Sequence, residues 1–277
     1  MSNARWESPF QYTLAFNLFK KHFTELNQAY WAFIPAYNTI KSTSKKSLSS
    51  DDADPKAFFL IRDEDDRRIA PTYKEWCNDF SEFSNYTRLN MLMLLSSCFE
   101  TYMRTVISLS FESKPGTTIM CPNAIDGAFI LKADPSYGDM TNQNYRFSSQ
   151  VEEVCKGEWS RRITAFIKYF GTPPESILSQ LGTLDEFRTK RNNIGHYLGR
   201  NKKQYSAPIL FYPQEAMRLS HDKLLAYFKM IYNVAKEFDS YLITNYIGSY
   251  DIIKCYFQKV GDGFFVDNKP GVNAHVR

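Results

Sequence analysis

The residues of this chain that could do chemistry together lie between Leu181 and Arg200, in the string LGTLDEFRTKRNNIGHYLGR. Histidine exchanges a proton near neutral pH, so His196 suits general acid or base work. An arginine fork holds two phosphate oxygens and stabilises charge building on phosphorus, a role open to Arg191. On a helix, Asn192 and His196 stand one turn apart, about 40° around the axis. Arg188 precedes Asn192 by one turn on the same face. Arg191 lies about 140° from His196 and reaches the same substrate only by bending its long stem or by acting with a second helix. Asn192 is placed to orient the imidazole or a phosphate oxygen. Phosphodiester cleavage in RNA fits such a set, because the 2′-OH is already the nucleophile. No cofactor and no metal is called for.

The charge of the surrounding segment agrees. From Asp185 to Lys203 the basic residues Arg188, Lys190, Arg191, Arg200, Lys202 and Lys203 face two acids, Asp185 and Glu186. That local excess of four equals the net charge of the entire 277-residue chain. A balanced scaffold with one cationic segment suits a phosphate-bearing partner and excludes a histone-like generic binder. Tyr197 and Tyr205, flanking the basic residues, are the aromatic candidates for base stacking.

The elements that position this set read as helices. Aromatics make up 16% of the chain while Gly supplies only 12 residues, which disfavours a turn-dense β-sandwich. Apolar residues recur at steps of three and four from Ser8-Pro9, taken as the N-cap and first turn, to about Ile40. The polar stretch 41–56 reads as a solvent loop. A second helical pattern starts near Thr72 and runs about ten turns, turning apolar all round near Leu89 to Leu95, as at the centre of a bundle. Pro, Gly and Asn then mark 114–146 as a long loop or irregular surface insertion, with a short helix as the alternative within it. Helical signals return over 148–170, from Thr172 or Pro173 to Tyr197, and from Pro213 to Tyr246. From Gly248 the pattern alternates and predicts a short irregular tail, with a small β-hairpin turning at Gly261-Asp262-Gly263. The expected fold is an all-α bundle of about five long helices. Residues 1–70 form an N-terminal helix and polar loop, 71–247 the bundle with its insertion, and 248–277 the tail.

The string Arg191-Asn192-Asn193-Ile194-Gly195-His196 resembles the RNxxxH signature of the HEPN superfamily, with an apolar and a small residue before the histidine. Its place, on a helix late in an all-α bundle and before another long helix, is similar to the family's. Leu94 to Ile107, LLSSCFETYMRTVI, resembles the family's earlier core helix, and Glu100 fills the place of its acidic residue. The resemblance covers roughly 72–246. It implies a metal-independent endoribonuclease, a homodimer in which two motif helices face one cleft, and a role as a toxin or in phage defence, with an antitoxin or other regulatory protein as partner. Arg191 would polarise the scissile phosphate, His196 would be the acid/base group and Asn192 its support. In a paired site Arg191 points across the seam toward the second His196. The other role known in the family is non-catalytic, a module that binds RNA or a protein. The 114–146 insertion exceeds what a minimal HEPN bundle needs.

Other polar features read as ordinary. His22, His221 and His275 have no metal-spaced companions, though His221 follows the motif closely enough to line the same cleft. The acidic and basic run from Asp63 to Arg68 reads as a solvated turn. Glu100, within an apolar helix, is expected to be paired, with Arg191 or Arg104. Five widely spaced cysteines suggest neither a zinc site nor a disulfide framework. The N-terminal MSNARWESPFQY lacks an apolar signal core, and no apolar run approaches the ~20 residues of a membrane span. The expectation is a cytoplasmic chain with no membrane partner.

Overall fold

A computed structural model describes residues 5–59, 68–121, 123, 125–138, 146–200 and 215–261. Every regular element among the described residues is helical, and the chain is all-α. The ten α-helices among the described residues are α1 (Leu14–Ser47), α2 (Pro55–Phe59), α3 (Tyr73–Ser113), α4 (Gly127–Ala133), α5 (Ser148–Cys155), α6 (Trp159–Phe170), α7 (Glu175–Leu178), α8 (Leu181–Tyr197), α9 (His221–Leu242) and α10 (Tyr250–Gly261). No described helix is long and apolar enough to cross a membrane.

The chain divides into two compact units. The first comprises residues 1–20, 99–185 and 232–277. Its core is aromatic: Phe166 meets Phe170 and Phe238 at 5.2 Å each, and Phe111 meets Phe170 at 4.8 Å. The helix expected to start at Ser8-Pro9 starts instead at Leu14. Thr13 caps it, its Oγ1 accepting from Phe16 N at 3.0 Å. Two carboxylates then take N–H groups at that helix end. Asp239 accepts from Thr13 N at 3.0 Å and from Thr13 Oγ1 at 2.5 Å, and Asp251 accepts from Leu14 N at 2.8 Å.

Burial makes this cap sensitive to pH. Asp239 is fully buried, and burial pushes its carboxyl up to about 6 despite the bonds from Thr13 and Tyr102; Asp251 moves in the same direction for the same reason. The unfolded chain would ionise Asp239 near pH 3.9. The folded state therefore holds the proton more tightly, and its advantage is complete below that pH and lost as pH rises through about 6. Relative to an Asp239→Asn variant, the native chain should lose about 3 kcal/mol of stability between pH 3.5 and pH 7. Urea unfolding of both proteins at the two pH values measures this, and parallel pH curves would refute it.

The described residues of 114–146, read as a loop or irregular insertion with a short helix as the alternative, belong to the first unit and do include a short helix. They contain a 3₁₀ turn at Pro115–Ile119, helix α4, and a second 3₁₀ turn at Pro135–Gly138. Asp126 caps α4, accepting from Ala128 N, and also pairs with Arg5 at 3.2 Å. Gly127 is required there, since a Cβ would stand 1.7 Å from the Glu112 carbonyl oxygen. The segment after Gly248 is also regular. Helix α10 occupies 250–261 where an irregular tail was expected, and the rest of the anticipated hairpin at Gly261-Asp262-Gly263 lies outside the described residues.

The second unit comprises residues 21–98 and 186–231. Here α1 and α3 are zipped antiparallel by rings, Tyr37 on Phe80 at 4.6 Å and Phe33 on Phe83 at 5.8 Å. Ser44 Oγ lies 3.2 Å from Tyr73 Oη and is fully buried, so α1 runs to Ser47 through part of the expected 41–56 loop. Thr72 caps the start of α3, its Oγ1 accepting from Glu75 N and donating to the Glu75 carboxylate, where a helix start was expected.

Candidate functional site

Helix α8 carries the motif, and its buried residues Leu184 and Phe187 show which way each of its residues faces. Leu184 and Phe187 are buried, Phe187 against Tyr227 at 5.2 Å. Arg191 follows Phe187 by one turn on that inward stripe and is half-buried. His196 is half a revolution from Phe187 and stands exposed, with half-buried Asn192 and Arg188 preceding it by one and two turns. The 140° separation is bridged in part by the side chain itself. Arg191 Nη1 donates to Asn192 Oδ1 at 3.1 Å, bringing the guanidinium toward the Asn192–His196 side. The Tyr197 ring lies 6.2 Å from the imidazole and is half-buried.

Two devices hold the C-terminal end of α8. Leu198 and Gly199 adopt left-handed conformations, with φ of 53° and 78°, and Gly199 N donates back to Asn193 O at 3.0 Å. Gly199 O then accepts from Met217 N at 2.9 Å. Residues 215–220 form a strap pinned to α3. Asn85 donates to Met217 O and accepts from Leu219 N, and Arg88 Nε donates to Leu219 O. The helix expected from Pro213 therefore begins only at His221, with Met217 in the strap and Pro213 outside the described residues. The helix expected from Thr172 or Pro173 is likewise divided, into α7 and α8.

Gly195 explains how closely α3 approaches the motif. A Cβ there would stand 3.2 Å from Met93 Cε, the mobile end of a flexible side chain. Met93 can swing aside, so the gain in helix propensity should dominate and Gly195→Ala should leave the protein as stable or up to ~1 kcal/mol more stable. Urea denaturation tests this, and a loss of more than ~1 kcal/mol would mean that Met93 cannot move.

The surrounding charges are partly spent on one another. Glu186 pairs with Lys190 at 3.6 Å and with Lys223 at 2.9 Å, and the two lysines hold its carboxyl below the usual range. Asp185 accepts from Trp159 N at 3.1 Å. Arg200 is half-buried, and Lys202, Lys203 and Tyr205 lie outside the described residues. Glu100 falls in the first unit and is half-buried rather than enclosed, which lowers the cost of its charge; Arg104, one turn on, pairs with Glu152 at 3.8 Å. The cysteine thiols offer no rival nucleophile at two positions, since burial pushes Cys98 up to about 11 and Cys155 up to about 12.

One residue pair here was not singled out by the motif. His221, at the first position of α9, lies with Nδ1 2.8 Å from Tyr30 Oη. Its nearness in sequence to the motif pointed to it, whereas nothing in sequence tied it to Tyr30, 191 positions earlier. No protein-family model matches the chain, and neither the curated proteins nor the solved structures hold a significant match to it.

Proposed function

We propose that this protein is a metal-independent endoribonuclease of the HEPN type, cleaving RNA through its own 2′-OH and serving in phage defence or as a toxin. The observation that carries the reading is the placement of Arg191, Asn192 and His196 on α8: an exposed imidazole, an arginine whose head is drawn toward Asn192, and a helix end fixed by the 215–220 strap. In the reaction an imidazole takes the 2′-OH proton and the 2′-oxygen attacks phosphorus. The P–O5′ bond breaks and O5′ receives a proton, leaving a 2′,3′-cyclic phosphate and a 5′-OH. The Arg191 guanidinium stabilises the charge on the phosphoryl oxygens.

One chain offers a single exposed motif histidine, and its arginine starts from the opposite side of the helix. A homodimer with two α8 helices at one cleft supplies an acid, a base and two forks. Incubation of RNA with the purified protein in excess chelator should give cyclic-phosphate ends and a second-order dependence on protein at low concentration. Products with 3′-OH ends, or activity that disappears with chelator, would overturn the mechanism. Binding of RNA without cleavage would move the protein to the non-catalytic HEPN modules.

A further inference from the structure

The geometry points to a nucleobase-binding subsite formed by Trp31, His221 and Tyr30 in the second unit, taking one base of a single-stranded RNA. This rests on the RNA reading above and adds to it a place where the strand is read. Trp31 leaves 47% of its surface to solvent, large for an indole beside a packed helix end. The His221 ring meets it perpendicularly, at 5.7 Å and 90°. Tyr30 is fully buried, and burial raises its phenol, which therefore keeps its proton. Tyr30 Oη and His221 Nδ1 lie 2.8 Å apart and bond to each other, which fixes the imidazole and leaves Nε2 as its second polar atom. The result is a fixed imidazole at right angles to a half-exposed indole.

Arg88 and Asp222 both act on the Tyr30 phenol, with opposite signs, and the Arg88 guanidinium is held by Leu219 O and by Ser84 Oγ at 2.7 Å. A half-exposed indole, a fixed imidazole edge and a held guanidinium match a nucleotide: a base to stack, a polar group on its edge and a phosphate beside it. An apolar peptide side chain would use only the first of these. The location also fits. His221 is four residues beyond Met217, so its backbone lies within ~14 Å of the point where the strap bonds the end of α8. His196 is three residues before that point on the other side.

The test uses the full chain and fluorescein-labelled 2′-O-methyl RNA octamers of A, C, G and U, which cannot be cleaved through the 2′ position. Trp31→Ala should weaken the best-bound octamer by ~5- to 150-fold. His221→Phe keeps a ring and removes its polar atoms, so it should flatten the preference among the four bases while costing less affinity. Tyr30→Phe, which preserves packing, should flatten it in the same direction. Trp31→Phe, which retains a stacking face, should recover most of the affinity. Unchanged affinity and preference in Trp31→Ala and His221→Phe, with thermal unfolding unaltered, would overturn the subsite. The outcomes separate from those of the nuclease reading. If the native protein cuts RNA and these variants bind and cut like it, the subsite fails and the nuclease stands. If the variants lose octamer binding while the native protein cuts nothing, the nuclease reading fails and the subsite stands.

Discussion

His196→Ala should slow RNA cleavage by ~10²- to 10⁴-fold, the usual contribution of a positioned acid or base. The same substitution should change folding stability by less than ~0.5 kcal/mol, because the imidazole is exposed and leaves no cavity. That separation of activity from stability is what makes the variant informative. Arg191 is different, since it continues the Leu184–Phe187 stripe and is half-buried, so alanine there would cost packing as well as charge. Arg191→Lys is the cleaner change. It keeps the charge and most of the stem but removes the fork, so cleavage should still fall by ~10²-fold or more. Rates of cyclic-phosphate formation, measured beside urea denaturation of each variant, decide the matter. A His196→Ala protein that cuts at the native rate would remove this histidine from the mechanism.

The helical period carried much of the fold because the long helices bury one face each. The α3 pattern from Thr72 onward was legible, and Leu92 and Leu95 are fully buried, but the stretch expected to be enclosed all round leaves Leu94 47% exposed. The helix ends were less so, because caps depend on partners far away in sequence. Ser8-Pro9 has the local chemistry of a helix start, yet Thr13 is the cap because Asp239 and Asp251 come to meet it from α9 and α10. Polar composition misled at 41–47, where a buried Ser44 facing Tyr73 keeps the helix going. Around the site, the divergence of Arg191 and His196 followed from 100° per residue alone. The bond from Arg191 to Asn192 and the strap from Gly199 to Met217 did not, since one depends on a rotamer and the other on α3.

The C-terminal segment yields the second large effect. Tyr250, Ile253, Lys254 and Phe257 keep a helical three/four step, but a lysine on the inward side hid it. Lys254 and Glu112 are an enclosed pair, Nζ to Oε2 at 2.7 Å with side-chain exposures of 7% and 6%. Tyr250 Oη donates to the same oxygen at 3.4 Å, and Tyr137 Oη donates to the Glu112 carbonyl at 3.1 Å. Burial raises the Glu112 carboxyl, and Lys254 is the main influence holding it down. Lys254→Met removes that influence and strands a carboxylate in the core, so it should cost ~3–5 kcal/mol at pH 7.5. The sign of its pH dependence is fixed. Without Lys254 the folded carboxyl rises further above its unfolded value near 4.3, so the deficit is smallest below that pH and grows as pH rises through the folded value. Glu112→Leu combined with Lys254→Met should regain most of the loss, because no buried charge is then unpaired. Urea unfolding of the two variants at pH 4 and pH 7.5 measures both effects. A Lys254→Met protein that matches the native stability at pH 7.5 would mean that α10 leaves the first unit's core open to water.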